Sequence, residues 1–432
     1  MQKNFHPSER GQVIVFLVIG LVVFLGFVAL AIDGGMAYSD RRYAQNSSDA
    51  SSLAGGGEAA LYLENSHLYW EDWDCTDPRA TTARAIAVAE AIERAATNGF
   101  IIDEDPADGN YVTTRCGQSV DGEWDDKYID VEVFIETTTE TSFAHLLFPD
   151  VLHIAVDSTT RIRPRQPYAY GNAIVSLNPE PCDGHQNGGV YYGNSNVSVI
   201  GGGIWTNGCL TGNGHPYIIV DDGGIYYGGE FDPGNAIWDP YPPDEPTNYI
   251  MPPSMYLPPT PDCNGHWVTQ NDIPRDGTIM GDDPDTPEYT PELICIDGSL
   301  TINAHDLVIG NGVTFYITGD ITINGTATVQ ISAPVADPDP APALAGVLIY
   351  VPKVTETCPD QDIVLNGTSE SYFEGLIIAP CANITLVGTG SSDTYFGQII
   401  GWNVIVGGEA DTTITYDETI PDGLATRIEL FR

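Results

Sequence analysis

Residues 9–35, ERGQVIVFLVIGLVVFLGFVALAIDGG, carry no charge between Arg10 and Asp33. Within this stretch, Val13–Ile32 is a run of 20 residues, of which 16 are Val, Leu, Ile or Phe and the others are Gly or Ala. About 20 apolar residues in a helix cross the ~30 Å hydrocarbon core of a bilayer. The run therefore predicts a transmembrane helix over residues 13–32, preceded by a short cytoplasmic N-terminus over residues 1–12.

A cleaved signal peptide is the alternative interpretation of this run. Ala29-Leu30-Ala31 offers a small-x-small cleavage site, but the apolar core of a signal peptide is shorter, about 7–15 residues. We therefore expect the helix to be retained. Its small residues also predict close packing against neighbouring membrane helices, with contact to lipid alone as the alternative; the candidate packing residues are Gly20, Gly26 and Ala29.

The rest of the chain is strongly acidic. The protein has 16 Lys and Arg against 60 Asp and Glu, and residues 61–432 hold 12 of the basic and 55 of the acidic residues, a net −43 of the total −44. Such a surface repels nucleic acid and attracts cations. Binding to DNA or RNA is therefore excluded as a function.

The cysteines indicate on which side of the membrane the bulk of the chain lies, whereas the charges do not. Two basic residues flank each side of the apolar run, so the positive-inside rule gives no preference. Eight cysteines, an even number with no CxxC pair, are typical of disulfides in an oxidising compartment. We predict that the bulk of the chain is exported to the periplasm or cell surface, with the pairing left open among Cys75, Cys116, Cys182, Cys209, Cys263, Cys295, Cys358 and Cys381.

Residues 33–165 predict a small α+β unit, and the first helix is expected to run on into it. Gly55–Gly57 indicates either a break or a close contact there. The helix face that packs on this unit is expected to consist of Tyr43, Ala50, Leu53 and Ala54, with a dedicated partner surface as the alternative. Asp77-Pro78 supplies an N-cap and a first-turn proline for a helix ending near Gly99. The alternation in YIDVEVFIE predicts a half-buried strand, followed by a short helix over 141–149 and a second strand over 152–162.

Residues 166–432 predict mainly β structure, because short β-branched runs alternate with Gly and Asn turns. Tyr372-Phe373 and Tyr395-Phe396 lie 23 residues apart, and each pair precedes an Ile-Ile strand. A repeat of that length indicates a parallel β-helix, with a β-sandwich or jelly roll as the alternative. Proline-rich residues 232–293 predict a long loop on the outside of the coils, with aromatic anchors at Trp238, Tyr241, Tyr249 and Tyr256.

The apolar run is preceded by Arg10-Gly11, ends in Ala31-Ile32-Asp33, and is followed by Arg41-Arg42 and Leu53-Ala54-Gly55. This N-terminal pattern resembles the opening of the TadE/G-like proteins of tight-adherence (Flp) pilus systems. The prepilin-peptidase pattern, a Gly followed by Glu five residues later, is absent because Phe16 stands at that distance from Gly11. The strand, Phe-Ala-x-x-Leu, strand arrangement up to residue 165 is also similar to that family, and the Gly-rich part resembles the β-helical extensions of some TadG-type proteins. The matching residues are Arg10-Gly11, Ala31-Ile32-Asp33, Arg41-Arg42, Asn46, Asp49 and Leu53-Ala54-Gly55.

This resemblance implies a single-pass membrane protein of mixed fold that takes part in pilus assembly or decoration and in surface attachment. Its implied partners are the membrane, pilin-like subunits and the assembly machinery. Two alternatives stay open: a self-polymerising filament subunit, and a β-helical carbohydrate-binding protein or polysaccharide-acting enzyme. The sequence predicts no enzyme, no catalytic residues, no metal ligands and no cofactor. The excess of carboxylates makes calcium a more plausible cation than zinc.

Overall fold

The computed structural model describes residues 12–432 except 67, 69, 71, 119–126, 144–150, 183–186, 242, 244–250, 252, 254–255, 283–287, 337–338, 356, 367, 388–394, 409, 421–422 and 432. The chain divides into two compact units. Unit 1 comprises Met1–Arg165 with Ala425–Arg432, and unit 2 comprises Gln166–Leu424. Unit 2 is thus inserted in the sequence of unit 1.

The secondary structure of the described residues comprises two α-helices, 26 strands and two short 3-10 helices, Pro106–Asp108 and Tyr168–Gly171. The helices are α1 (Gln12–Asn65) and α2 (Pro78–Thr97). Unit 1 also contains the strands β1 (Tyr111–Gly117), β2 (Tyr128–Thr139) and β3 (Leu152–Arg163). The strands of unit 2, followed by the last strand of unit 1, are β4 (Asn172–Ser176), β5 (Gly189–Gly193), β6 (Asn196–Ile200), β7 (Gly203–Thr206), β8 (Leu210–Gly214), β9 (Tyr217–Asp221), β10 (Ile225–Tyr227), β11 (Phe231–Asp232), β12 (Ile237–Asp239), β13 (Trp267–Val268), β14 (Asp276–Gly281), β15 (Glu292–Ile296), β16 (Leu300–Ile302), β17 (Leu307–Asn311), β18 (Val313–Ile317), β19 (Ile321–Ile323), β20 (Thr328–Ser332), β21 (Val347–Tyr350), β22 (Gln361–Leu365), β23 (Tyr372–Val387), β24 (Tyr395–Gly408), β25 (Thr412–Thr415) and β26 (Arg427–Phe431).

Helix α1 is continuous over 54 residues. No proline occurs between Pro7 and Pro78 to end it. Of the two predictions for Gly55–Gly57, the close contact is confirmed and the break is wrong. A Cβ on Gly55 would lie 2.4 Å from the carbonyl oxygen of Ala87 in α2, and one on Gly56 would lie 2.4 Å from Cγ2 of Thr160 in β3.

The sheet of unit 1 is antiparallel, in the order β1-β2-β3-β26. The predicted alternation in β2 is confirmed, since Ile129, Val131, Val133 and Ile135 are fully buried. Helix α2 begins as predicted, with the Asp77 carboxylate accepting a hydrogen bond from the Arg79 backbone N–H at 2.7 Å. Its alanines form the buried face of that helix. The helix predicted over 141–149 lies largely outside the described residues.

The last strand belongs to unit 1, whereas the sequence prediction assigned all of 166–432 to the β-rich part. Strand β26 pairs antiparallel with β3, from Arg427 opposite Arg163 to Phe431 opposite Thr159. Glu64, at the end of α1, holds the start of this strand. Its carboxylate accepts hydrogen bonds from the Thr426 backbone N–H at 3.0 Å and hydroxyl at 2.7 Å, and it forms an ion pair with Arg165.

Glu64 makes this attachment of β26 sensitive to pH. Burial raises the pKa of the Glu64 carboxyl, but the hydrogen bonds from Thr426 and the charge of Arg165 outweigh it and hold that pKa below its usual 4.5. A group whose pKa is lower in the folded state stabilises that state above its unfolded pKa, and this contribution disappears as the pH falls through the folded pKa.

We therefore expect Glu64→Gln to lower the melting temperature of unit 1 at pH 7 and to have a smaller effect once the pH has fallen below the lowered pKa of the native carboxyl, which is then protonated too. Thermal unfolding of both proteins between pH 3 and 7 measures this difference. Glu58→Gln, an exposed position on the same helix, is the control. An equal loss for Glu64→Gln at both ends of the pH range would contradict the expectation.

Unit 2 consists of parallel strands, most of which pair with the third strand along the chain, as in β4–β7–β10 and β5–β8–β11. Near the C-terminal end the spacing shortens, since β21 and β22 pair with β23, and β23 with β24. Paired residues lie 21 positions apart in Gly189↔Leu210 and Leu210↔Phe231. The prediction of mainly β structure with parallel strands is confirmed. A sandwich or jelly roll is wrong for the described strands, because those folds pair antiparallel.

The turns of unit 2 are not stacked in sequence order. Strands β4–β12 form an N-terminal half and β13–β25 a C-terminal half. The two halves meet where β24 pairs with β4 and β5, and β25 pairs with β6. The first strands of unit 2 therefore lie in the middle of the stack of strands. The N-terminal half extends from them in one direction, and the last strands of the C-terminal half pair with them from the other side.

The interior of unit 2 is apolar, with Ile174, Ile204, Phe373 and Ile399 among its buried side chains. The repeat found in the sequence is real, but its register is off by one: Phe373, and not Tyr372, lies opposite Tyr395. The reason is that the side chains that fill the interior are 22 positions apart: Ile377 lies opposite Ile399, and the Phe373 ring stacks on that of Tyr395 at 5.4 Å. Packing of the interior sets the register.

The proline-rich segment 232–293 only partly forms the predicted loop, since β12, β13 and β14 lie within it and β15 begins there. Met251 and Tyr256 are buried in a second apolar cluster with Ile378 and Ile400, on the strand face opposite the interior. Among the predicted anchors Tyr256 is therefore confirmed. Trp238 is instead buried inside β12, Tyr241 is exposed, and Tyr249 lies outside the described residues.

A ladder of amide and carboxyl side chains crosses the junction between the two halves. Asn403 Oδ1 accepts hydrogen bonds from Asn178 Nδ2 at 2.8 Å and from the Gly188 N–H at 2.7 Å. Asn403 Nδ2 donates to Asn383 Oδ1 at 2.8 Å, and Asn383 Nδ2 donates to Asp362 Oδ1 at 2.9 Å. These side chains thereby form hydrogen bonds between successive turns of unit 2.

We expect Asn403→Ala to destabilise unit 2 by about 2 kcal/mol, because it leaves buried donors at Asn178 and Gly188 without an acceptor. Chemical denaturation of the full chain measures this loss. Asn264→Ala, at an exposed turn, should change stability by less than about 0.5 kcal/mol. Equal effects at the two positions would show that the ladder does not stabilise the junction.

All eight candidate cysteines are paired, and no cysteine is free among the described residues. The four disulfides are Cys75–Cys116, Cys182–Cys209, Cys263–Cys295 and Cys358–Cys381. Each lies within unit 1, the N-terminal half or the C-terminal half. The junction between the halves therefore depends on hydrogen bonds and apolar packing.

Candidate functional site

The first part of α1 is the candidate functional site, because its apolar side chains have no partner within the described chain. Val13 to Leu25, Phe27 and Leu30 are exposed. The most apolar 18-residue window of this helix has a mean hydropathy of 3.3 and none of it is buried. Among the described residues this is the one helix with the length and composition to cross a membrane.

The predicted packing residues lie on this exposed segment. A Cβ on Gly20 or Gly26 would meet no atom within 4 Å, and Ala29 is half-buried. The small side chains therefore leave open backbone surface that a second helix can approach. Packing of Gly20, Gly26 and Ala29 against such a helix stays a prediction.

The apolar segment ends at a fixed attachment to unit 1. Asp33 is buried, and its carboxylate accepts hydrogen bonds from the backbone N–H groups of Ser142 at 2.8 Å and Phe143 at 3.0 Å. Asp40, two turns later, accepts one from the Thr139 hydroxyl at 2.6 Å. The end of β2 and the chain after it are thus held beside the helix directly after its last apolar residue, Ile32.

Beyond Asp40, α1 packs on unit 1 through two stripes of small residues. Residues four apart lie one above the other on a helix. The glycines of the stripes give close contact, since Gly55 lies against α2 and Gly56 against β3. The serines form hydrogen bonds to the sheet. Ser48 donates to the Val133 carbonyl at 2.7 Å, and the Ser52 hydroxyl oxygen lies 3.0 Å from that of Ser158. The buried residues of the two stripes are Ser47, Ser51, Gly55 and Ala59, and Ala44, Ser48, Ser52, Gly56 and Ala60.

This face differs from the predicted one except at Tyr43, whose hydroxyl donates to the Asn98 carbonyl at 2.7 Å and whose ring centre lies 5.5 Å from that of Phe100. Tyr43 and Leu53 are exposed, and Ala50 and Ala54 are half-buried. The prediction followed the larger apolar side chains, whereas the buried face consists of Ser, Gly and Ala. Small residues repeated at a spacing of four are the signal in the sequence that identifies it.

A groove of about 500 Å³ runs between α1 and β3, next to the double-basic pair. Arg41 and Arg42 are exposed at its edge, and the Arg42 guanidinium lies 5.8 Å from the centre of the Tyr38 ring. Of the other motif residues, Asn46 is exposed and Asp49 is buried with a hydrogen bond from Gln45 at 2.8 Å. The motif therefore combines an exposed basic edge with a buried packing face.

The described residues contain no group of three or more His, Cys, Asp or Glu side chains placed to hold a metal ion. The buried carboxylate of Asp130 in unit 1 is paired with two arginines. It accepts hydrogen bonds from Arg161 Nε at 2.7 Å and from Arg115 at 2.9 Å. This arrangement raises the pKa of the Arg161 guanidinium, chiefly through the hydrogen bond to Asp130. These groups stabilise the outer face of the sheet.

Comparison with known families gives two matches. Residues 292–422 match a domain of unknown function (DUF7305), which begins at β15 and so covers most of the C-terminal half of unit 2. The resemblance of the Gly-rich part to TadG-type extensions is not confirmed. The comparisons with curated proteins and with solved structures give no match. Residues 11–60 match the family model of Flp pilus-assembly TadE/G-like proteins, so α1 contains a TadE/G-like domain of that family.

Proposed function

We propose that this chain is a single-pass membrane protein that takes part in the assembly or decoration of tight-adherence (Flp) pili, with unit 2 displayed outside the membrane. The observation that supports this most is the division of α1 into two parts. Its first part is apolar and exposed over the length of a bilayer, and its second part is fixed on unit 1 by small residues.

The TadE/G-like match places the same helix in a pilus-assembly family. The acidic composition and the four disulfides support display in an oxidising, exported compartment. In this proposal the membrane segment both anchors the protein and contacts pilin-like helices through Gly20, Gly26 and Ala29. Surface attachment then depends on unit 2.

Site-specific photocrosslinking in cells tests the proposal. A photoreactive residue at Gly26 is expected to crosslink to a pilin-like or assembly protein of the membrane fraction, and one at Phe16, on the same segment, serves as the matched control for position on the helix. Deletion of the gene is expected to reduce piliation. Normal pili in the deletion strain, together with crosslinks to lipid alone, would rule the proposal out.

Two further measurements separate the alternatives. Recovery of the chain as the main component of sheared filaments would indicate a self-polymerising subunit. Retention of the purified protein on a polysaccharide column, or release of sugars from it, would indicate the carbohydrate alternative.

We propose no catalytic role and no cofactor. Residues 166–432 contain only four Lys and Arg, which leaves few positive charges to bind an acidic sugar. An unchanged melting temperature on chelation would support the absence of bound calcium.

A further inference from the structure

The sheet of unit 1 has an open edge along the first half of β3. Strand β26 pairs with β3 only between Thr159 and Arg163, whereas β2 pairs with it from Leu152 to Ile162. Residues 154–158 are therefore paired on one side, and no described strand pairs with their other side. Alternate residues of an antiparallel strand direct their N–H and C=O groups to the same side. This open edge has the length of an ordinary strand.

The opposite edge of the sheet, at β1, is covered by the chain itself. The Asp103 carbonyl accepts a hydrogen bond from the Val112 N–H at 2.7 Å. The Arg84 guanidinium donates to the Thr114 carbonyl at 3.3 Å. Natural proteins usually cover the sheet edges that take no partner. An edge of the same sheet that stays uncovered therefore indicates that a strand from another molecule pairs with it.

The groove of about 500 Å³ between α1 and β3 runs along this open edge. Gln45 Nε2 donates to the Asp157 carbonyl at 3.2 Å, so the helix borders the strand directly. Arg41 and Arg42 are exposed, and neither forms an ion pair with a described residue. Asp157 is the one acidic residue among the described residues that line the groove. The groove therefore combines open backbone groups with two guanidinium groups that have no carboxylate partner.

The distance from the apolar run excludes a lipid as the occupant. On α1 the groove extends from Tyr38 to Gln45, which lie six and 13 residues beyond Ile32. At ~1.5 Å per residue these positions are about 9–20 Å past the hydrocarbon core, whereas the headgroup region extends about 5–7 Å. The two arginines are therefore in the aqueous phase, where a polypeptide can reach them.

A second copy of the chain does not fit this edge. Helix α1 and strand β3 run in the same direction, since Asp40 contacts Thr139, which lies opposite Leu152, whereas Gly56 lies against Thr160. Antiparallel pairing of two β3 edges needs a twofold axis perpendicular to the sheet. The apolar segments of the two copies would then point in opposite directions, which one membrane does not allow. Parallel pairing is less stable and adds the repulsion of two chains of net charge −44.

We propose that residues 154–158 of β3 bind an extended, acidic segment of a partner protein, which adds a strand to the sheet of unit 1 in line with β26. Main-chain hydrogen bonds to β3 hold this strand, as in other cases of strand addition. Carboxylates of the segment pair with Arg41 and Arg42, and such charge-assisted pairs select an acidic partner. The proposal goes beyond the pilus role and rests on its membrane insertion only for the exclusion of lipid and of a second copy.

Hydrogen exchange of the full chain in detergent micelles tests this site. The probe is a synthetic peptide of about nine residues in which valine alternates with glutamate. One control peptide has lysine in place of glutamate, and a second has proline at its centre, which removes a donor of the ladder. The acidic sequence is also appended after Arg432, next to β26, because the tether raises its local concentration to about the millimolar range.

The acidic peptide is expected to slow the exchange of residues 154–158 about tenfold or more, and the proline peptide to leave it unchanged. Arg41→Gln combined with Arg42→Gln should weaken the binding of the acidic peptide about tenfold, because both charge-assisted pairs are lost. Arg94→Gln, at an exposed position of α2 in the same unit, is the matched control and should bind the peptide as the native chain does.

Equal protection by the glutamate and lysine peptides would overturn the acidic partner. Protection that rises with protein concentration, without any peptide, would assign the edge to a second copy instead. If neither the free nor the appended acidic peptide changes the exchange of residues 154–158, strand addition is wrong. The pilus role is tested separately, by crosslinking at Gly26, so its failure and the failure of this proposal give different results.

Discussion

Gly55→Ala is expected to destabilise unit 1 by about 3 kcal/mol, although alanine is the better helix former. The added Cβ would lie 2.4 Å from the Ala87 carbonyl oxygen and 3.2 Å from the Ala91 Cβ. Because these are atoms of a packed helix, α1 and α2 have to separate. Chemical denaturation, followed by helical circular dichroism, measures the loss.

The same substitution two residues later is the matched control. Gly57 lies on the same helix, and a Cβ there meets nothing within 4 Å. Gly57→Ala is therefore expected to stabilise the helix by about 0.5–1 kcal/mol. The pair should thus change stability in opposite directions. A gain in both variants would mean that α1 does not pack on α2 at Gly55.

Removal of residues 425–432 is expected to destabilise unit 1 by about 4 kcal/mol, through loss of the β26 ladder and of the hydrogen bonds from Thr426 to Glu64. It would also leave β3 paired on one side only, with β2. The open edge of such a strand favours aggregation. Hydrogen exchange of residues 152–163, compared between the truncated and the full chain, is the measurement. Those amides should lose protection while the amides of unit 2 keep theirs.

Arg427→Gln is the control for this truncation. Arg427 is exposed and its ion pair with Glu429 is a surface pair, so its loss should cost less than about 1 kcal/mol while the backbone ladder stays intact. If residues 152–163 exchange normally in the truncated chain, β26 is not a structural part of the sheet.

Local patterns in the sequence predict the elements whose cause is local. The apolar run, the Asp77-Pro78 start of α2 and the alternation of β2 all depend on residues within one element, and the structure contains each of them. Asp130 is the exception in β2. It is buried because Arg161 and Arg115, distant in sequence, pair with it.

Pairing over long distances could not be predicted in the same way. The strands of unit 2 are similar β-branched runs separated by Gly, and no local feature states that Ile399 lies opposite Ile174. Strand β26, RIELF, has no pattern that assigns it to unit 1; its position depends on β3 and Glu64. For the candidate site, the apolar segment could be predicted, whereas the small-residue stripes were missed because hydrophobic size was the criterion.

The order of the turns in unit 2 has a consequence for biogenesis. Asn178 and Asn403 are hydrogen-bonded although they are 225 positions apart. A ribosome adds about 5–20 residues per second, so β4–β6 wait on the order of tens of seconds for the strands that complete them. Throughout that time their free edge can recruit a wrong strand. Residues 395–415 must therefore be made before this edge is covered, so the centre of unit 2 is completed only by its last strands, β24 and β25.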